Sequence, residues 1–199
     1  QYIVATSSWI ALYRIISTMG ADAMAGYTIS IRIIVFVLLP SWGLSNAAST
    51  LVGQNLGAKQ PERAERTVWI TAYANMILLG SIGLVLILFP ETFIRLFIDS
   101  PNVISHGAIS LQIISIGFLS YAMGMVMTQA FNGSGDTVTP TRINLFCFWL
   151  FEIPLAYVLT IVFKMEIYGI SIAIVAAETA LTLTAWYLFR KGKWKTVKV

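Results

Sequence analysis

Side chains that commonly bind metals or attack substrates are scarce in this sequence of 199 residues, which holds one cysteine and one histidine. Cys147 has no second cysteine with which to form an internal disulfide. Together with His106, far away in the sequence, it makes a poor metal site. No HExxH, GxSxG or Walker P-loop pattern occurs. A hydrolase or metalloenzyme therefore lacks its characteristic side chains here, and we expect no metal and no organic cofactor.

Charged residues are also scarce, at 11% of the chain, whereas soluble domains contain about 25%. Hydrophobic residues make up 57%, and the mean hydropathy is +0.78. The net charge is +4, but the basic residues stand at the ends of apolar runs rather than in a polar patch. This pattern argues against a nucleic-acid partner and predicts an integral membrane protein whose surroundings are the lipid bilayer.

Six apolar segments are long enough for an α-helix to cross the roughly 30 Å hydrocarbon core of a bilayer. They lack strict alternation of polar and apolar residues, and they far exceed the roughly 10 residues of a membrane β-strand. We therefore predict an all-α protein with six transmembrane helices. Their approximate bounds are Tyr2–Met19, Met24–Leu51, Thr67–Phe89, Val103–Phe131, Thr141–Phe163 and Tyr168–Phe189.

Basic residues are concentrated on one side of these predicted spans. Nine of the 13 lie at the ends that carry loops 53–66 and 132–139 and the tail from Arg190, and two lie on the other side. The positive-inside rule places the richer side, and with it both termini, in the cytoplasm. Trp69, Trp186 and Trp194 fall at the same side, where we expect interfacial rings. Because Gln1 already stands at the edge of an apolar run, we expect further sequence upstream.

Four ionisable residues fall inside the predicted spans, namely Arg14, Arg32, Glu152 and Glu178. A charge at the bilayer centre costs about 2.5–3.5 kcal/mol on insertion scales, so such residues usually face a bundle interior or a wet cavity. Arg32 and Glu152 are the most deeply placed, and a direct pair between them is one hypothesis. Structural ion pairing or snorkelling to an interface is the alternative.

Prolines interrupt two predicted spans, Pro40 in the second and Pro154 in the fifth. Each removes a backbone N–H and frees a carbonyl one turn earlier in the helix. Broken helices in transporters place free backbone groups beside a cavity, whereas most proline kinks are satisfied by neighbouring helices. Pro154 is two residues from Glu152, so a kink and a carboxylate coincide in the fifth span.

The two longer cytoplasmic loops have local signals of their own. Residues 132–137 predict a tight turn, after which Thr139 caps a helix with Pro140 at its first position. Pro61–Arg66 predicts a helix start with acidic residues in the first turn. We expect that start to lie along the membrane interface before the third span begins.

Both loops resemble those of the multidrug and toxic compound extrusion (MATE) family. Gly53, Gln54, Asn55 and Gly57, followed by Pro61–Ala64, are similar to the loop after the second helix of a MATE lobe. Another set resembles the family's loop after the fourth helix, namely Gly133, Gly135, Asp136 and Thr137, followed by Thr139–Thr141. The stretch Pro40–Asn46 is similar to the family's second lobe, and the likeness covers nearly the whole chain.

The resemblance implies that residues 1–199 form the C-terminal six-helix lobe of a twelve-helix transporter whose N-terminal lobe is missing here. Such a protein would lie in the cytoplasmic membrane of a prokaryote. It would export small cationic drugs or toxins through a cavity between the lobes, by alternating access. H+ or Na+ would be the coupling ion.

Some family members have coupling carboxylates in the first and fourth helices of this lobe, where Ala5 and Tyr121 stand here. Coupling is therefore expected in the missing lobe, or at Glu152 or Glu178. We favour Glu152 as the carboxylate. Gln129 and Tyr121, on the fourth helix, are expected to line the cavity.

Two other functions are compatible with a polytopic membrane protein. A lipid-linked-sugar flippase or polysaccharide exporter of a related fold would need several inward-facing cations for a diphosphate, and only Arg14 and Arg32 are available within the spans. A membrane-embedded enzyme or assembly module lacks any catalytic constellation. We rank both below the exporter.

Overall fold

The computed structural model describes residues 2–196, and the side chains of residues 6–195. Within that range it contains α-helices and no β-strand, which confirms the predicted all-α fold. The α-helices are α1 (Tyr2–Ile16), α2 (Ala21–Gly57), α3 (Pro61–Leu88), α4 (Pro90–Arg95), α5 (Pro101–Ile116), α6 (Phe118–Gly133), α7 (Val138–Asn144), α8 (Ile153–Tyr157) and α9 (Glu166–Arg190). Turns of 3-10 helix cover Ser17–Met19 and Lys193–Thr196, and π-helix covers Leu145–Glu152 and Val158–Val162.

Four continuous helical segments of the described chain are long and apolar enough to cross a membrane: Ala21–Gly57, Pro61–Leu88, Val138–Val162 and Glu166–Arg190. The pair α5 and α6 forms a fifth if it is taken as one bent span. α1 has 15 residues, which is short of the roughly 20 that a span needs. Gln1 and Lys198, which bear on the predicted cytoplasmic termini, lie outside the described residues.

The fourth predicted span is not one helix, because the chain bends by 55° between α5 and α6. Gly117 lies at the bend, and its N–H donates to the Ile114 carbonyl at 3.0 Å, which tightens the last turn of α5. A Cβ at Gly117 would lie 3.2 Å from both that carbonyl oxygen and the Val175 side chain. Glycine therefore allows α9 to pack close to the bend.

Two helix boundaries also differ from the prediction. α2 continues to Gly57, six residues beyond the predicted end at Leu51. α3 begins at Pro61 and runs without interruption to Leu88, so no separate interfacial segment precedes the third span. Proline at the first helical position lacks an N–H that would have no partner there, which explains the early start.

The lobe is organised around α2, which packs against α3, α5 and α6, while α9 packs against α5, α6 and the fifth span. One core cluster includes Tyr27, Leu111 and Phe118. A second, toward the end that bears the 58–60 and 134–137 connections, includes Val68 and Phe189. We call that end of the lobe the basic end. Large apolar side chains also cover the outside, including Phe36, Ile77, Leu150 and Phe163, as expected for a surface in contact with lipid or another lobe.

Candidate substrate cavity and its carboxylates

A cavity of about 610 Å³ lies between α1, α2, α6, the first π-helical segment and α9. Its size is within the range of sites that bind small organic molecules. Its wall is mainly apolar and aromatic, with a smaller set of polar groups. The lining residues are Thr6, Trp9, Val35, Leu38, Trp42, Ser45, Asn46, Tyr121, Met125, Thr128, Gln129, Asn144, Phe148, Glu178 and Leu181.

Among the described residues that line the cavity, Glu178 is the one that carries a charge. It lies in the middle of α9 and is 8% exposed. The Tyr121 hydroxyl of α6 is within interaction range of the Glu178 carboxyl. A carboxyl group in such surroundings needs a proton or a cation to offset the cost of burying its charge. The cavity is therefore suited to receive a positive group beside Glu178.

A chain of side-chain amides crosses the cavity wall from α6 to α2. Asn132 Nδ2 donates to Gln129 Oε1 at 2.7 Å, and Gln129 Nε2 donates to Asn46 Oδ1 at 2.7 Å. Gln129 and Asn46 both line the cavity. The structure thus places Gln129 and Tyr121 on the cavity wall with Glu178, and it adds Asn46 from α2. The sequence offered no signal for Asn46 beyond its position in the Pro40–Asn46 stretch.

Glu152 is buried near Glu178 but does not belong to the described residues that line the cavity. It is 4% exposed, and its Oε2 atom has no hydrogen-bond partner. It is within electrostatic range of Tyr27, Tyr121 and Glu178. Glu152 and Glu178 are therefore close enough to interact electrostatically, and of these two residues Glu178 lines the cavity.

The hypothesised pair between Arg32 and Glu152 is not formed. Arg32 is exposed on the outside of α2, as Arg14 is on α1, whereas Glu152 is buried. Ion pairs in the described part of the chain join Arg95 to Glu91 and Lys195 to Glu65. The sequence places Arg32 deep in an apolar run, but it cannot tell which face of α2 turns inward. Arg32 does not line the cavity.

The two prolines differ in their local effect. α2 continues through Pro40, which is exposed, and Leu38 and Trp42 on either side of it line the cavity. Pro154 stands in α8, between the two π-helical segments. A π-helix pairs each N–H with the carbonyl five residues back, and such segments are frequent at functional sites. The first π-helical segment ends at Glu152, next to this proline.

Two motif glycines lie where α2 and α6 approach most closely at the basic end. A Cβ at Gly133 would lie 2.2 Å from the Ser49 carbonyl oxygen, and one at Gly53 would lie 3.1 Å from the Gly133 carbonyl oxygen. Gly53, Gln54, Asn55 and Gly57 are not loop residues as predicted, because all four belong to the last turns of α2. Part of the first loop motif is therefore a helix-packing contact.

The second loop motif forms the turn between α6 and α7. Gly135 has a φ of 85°, and Asp136 accepts hydrogen bonds from the Thr139 N–H at 3.0 Å and the Thr139 hydroxyl at 2.6 Å. α7 begins at Val138, immediately after Thr137, so the predicted cap at Thr139 and start at Pro140 are wrong. Asp136 satisfies the free N–H of the first helical turn instead.

Apolar spans, a broken span and a solute-sized cavity together are typical of multihelical membrane proteins that bind small molecules. The family model described as MatE matches residues 1–158. The chain belongs to the MatE family, the multidrug and toxic compound extrusion transporters, whose members are transporters and not enzymes.

Two relatives cover nearly all of the chain. The probable multidrug resistance protein NorM of Thermotoga maritima is 28% identical over 182 residues, which is 92% of this chain and 39% of that protein. The probable multidrug resistance protein YoeA of Bacillus subtilis is 25% identical and matches 99% of this chain and 42% of its own length. The chain thus spans about two fifths of the curated relatives it matches.

Solved structures show the same fold. The MATE transporter ClbM in complex with Rb+ superposes with a TM-score of 0.90 at 20% identity, over 98% of this chain and 46% of that one. A MOP superfamily transporter from Pyrococcus furiosus gives a TM-score of 0.88 at 16% identity, over 96% of this chain and 42% of its own.

Proposed function

We propose that this chain is the C-terminal lobe of an exporter that removes cationic, amphipathic drugs or toxins from the cell in exchange for H+ or Na+. An N-terminal lobe would close the other side of the cavity, and the two lobes would alternate between inward-open and outward-open states. The observation that carries the proposal is the cavity itself, in which apolar and aromatic walls surround Glu178, the single charged side chain that the structure describes there.

An amphipathic cation matches this cavity in both of its parts. Its apolar body would pack on Trp9, Trp42 and Phe148, and indole faces attract cations as well as apolar groups. Its charge would pair with Glu178, in surroundings where the attraction is stronger than in water. A diphosphate would find no lysine or arginine among the lining residues, which argues against a lipid-linked sugar as the substrate.

The exchange would depend on two neighbouring carboxyl groups, Glu178 and Glu152, that cannot hold the organic cation and the coupling ion at the same time. When H+ or Na+ enters down its gradient and occupies the carboxylates, the organic cation loses its counter-charge and leaves. Glu178 would meet the substrate, and Glu152 near it would hold the coupling ion. In this proposal the protein lies in the cytoplasmic membrane of a prokaryote, with the basic end of the lobe and both termini in the cytoplasm.

The test is Glu178→Gln in the full-length protein, reconstituted in liposomes and driven by an imposed H+ or Na+ gradient. Removing one member of a buried charge pair costs about 2–5 kcal/mol, so transport of a fluorescent cation should fall by roughly 30-fold or more. Glu91→Gln is the matched control, because Glu91 is an exposed residue of α4 outside the cavity and should leave transport unchanged. Wild-type transport by Glu178→Gln would overturn the proposal.

A further inference from the structure

The chain does not run free from the end of α9 but turns back onto the lobe. Gly192 has a φ of +70°, which reverses the direction, and Lys193–Thr196 forms one 3-10 turn. Trp194 is 1% exposed, and its ring stacks on Phe189 at 4.8 Å with an interplanar angle of 14°. Its indole N–H donates to the Phe189 carbonyl at 3.0 Å. The Trp194 ring therefore packs inside the lobe and does not extend into surrounding lipid as an interfacial side chain would.

The turn is also tied to α3, which is distant in sequence. Trp194 belongs to the same buried cluster as Ala64 and Val68 of α3. The Lys195 ammonium pairs with the Glu65 carboxylate in the second turn of α3. The buried Trp194 ring and the Glu65–Lys195 ion pair thus anchor the turn to the basic end of the lobe.

Several cations remain exposed near the docked turn, at the end of α9. Arg190 and Lys191 are exposed at the end of α9, and Arg66 is exposed directly after the ion-paired Glu65 of α3. We call these three residues the C-terminal basic surface. The Lys191 ammonium lies 4.3 Å from the centre of the Tyr187 ring, and Tyr187 is 55% exposed on α9. Glu65 pairs with Lys195 and is also within electrostatic range of Arg190. One acid thus faces two cations there, and Lys191 and Arg66 add positive charge beside them.

We propose that the C-terminal basic surface binds the headgroups of anionic phospholipids in the leaflet that it faces. Phosphate oxygens accept from arginine and lysine, and an exposed tyrosine one turn inside the helix end is typical of headgroup depth. Basic residues immediately outside a transmembrane helix attract anionic lipid. The docked turn adds preorganisation, because Trp194 and the Glu65–Lys195 pair fix the backbone that carries these cations. This inference does not depend on what the protein transports.

The test uses the full-length protein in nanodiscs of mixed phosphatidylcholine and phosphatidylglycerol. Native mass spectrometry measures the ratio of the two lipids retained after gentle delipidation. The wild-type protein should retain phosphatidylglycerol in preference. The double variant Arg190→Gln, Lys191→Gln should lower that ratio by roughly tenfold or more, because two surface cations are lost. A double variant that retains the wild-type ratio would overturn the proposal.

Two further variants distinguish lipid binding by this particular surface from a general effect of the protein's net charge. The double variant Arg95→Gln, Lys164→Gln removes the same charge at the other end of the lobe and should keep the lipid preference. An equal loss in this control would mean that total charge alone is measured, which contradicts the proposal. Trp194→Ala keeps every charge but releases the turn, so it should also weaken the preference. Unchanged retention by Trp194→Ala would refute the role of docking.

Neutralising either member of the ion pair covers the case in which Trp194→Ala does not fold. Lys195→Gln removes the tie and one cation, whereas Glu65→Gln removes the tie and one acid. Both variants should weaken phosphatidylglycerol retention if docking of the turn matters, whereas charge alone predicts a loss for Lys195→Gln and a gain for Glu65→Gln. A gain for Glu65→Gln would contradict the proposed role of the Glu65–Lys195 pair.

Discussion

Gly133 lies where α6 comes closest to α2, with the space for its missing side chain filled by the Ser49 backbone. Close helix approach at small residues is a main source of packing energy between membrane helices. Gly43, in the same helix as Ser49, has open space where a Cβ would lie. The two glycines are therefore constrained differently, Gly133 by a neighbouring backbone and Gly43 by none.

Gly133→Ala should destabilise the full-length protein by about 1–3 kcal/mol, because the helices must separate to admit the methyl group. The matched control Gly43→Ala should be neutral or stabilising by up to about 1 kcal/mol, since alanine favours a helix over glycine. Thermal unfolding in detergent measures both. Equal unfolding temperatures for Gly133→Ala and the wild-type protein would show that the close contact is not present.

The sequence ranks the two interior carboxylates differently from the structure. It favours Glu152, which is deeply placed in its predicted span, whereas Glu178 is the carboxylate that lines the cavity. A single sequence gives the depth of a charge along a helix, but not the face it occupies once helices bend. For the same reason the sequence could not show that Arg32 is exposed or that Trp194 is buried.

At the scale of elements, the fifth span is the least regular part of the lobe. It runs from Val138 to Val162 through two π-helical segments that flank α8, and its outer face is largely exposed. Pro154 removes a backbone donor inside this span, and the altered hydrogen-bond pattern around it accommodates the loss. The irregular segment ends at Glu152, whose Oε2 atom is buried without a hydrogen-bond partner.

Glu152→Gln should separate ion coupling from substrate binding. Because Glu152 does not line the cavity, the variant should bind a cationic dye with nearly wild-type affinity. It should no longer transport that dye in response to an H+ or Na+ gradient, because the proposed ion carboxylate is lost. Measurements of dye binding and of gradient-driven transport by the full-length protein in liposomes test these two expectations separately. Wild-type transport would remove Glu152 from the mechanism.

The helices themselves could be predicted better than their ends and bends. The lengths of the apolar runs predict the five longer membrane spans, because length and hydropathy dominate insertion into a bilayer. The bend at Gly117 was missed, because glycine is common within membrane helices and the apolar run continues across it. The end of α2 was placed too early, because its polar last turns look like a loop in sequence.

At the scale of the whole molecule, the chain is one packed lobe whose cavity is bordered by α1, α2, α6, the fifth span and α9. It spans about two fifths of its curated relatives. Its exposed apolar side chains, such as Phe36 and Phe163, indicate contact with lipid or a second lobe. The proposed transport requires that second lobe, so each functional test uses the full-length protein.

The central claim, that an organic cation binds beside Glu178, can be tested by locating a heavy-atom cation directly. Crystals of the full-length protein soaked in tetraphenylarsonium would be measured at the arsenic absorption edge. We expect an anomalous peak inside the cavity bordered by Trp9, Trp42 and Glu178, and loss of that peak in Glu178→Gln. An arsenic peak elsewhere, with none in this cavity, would contradict it.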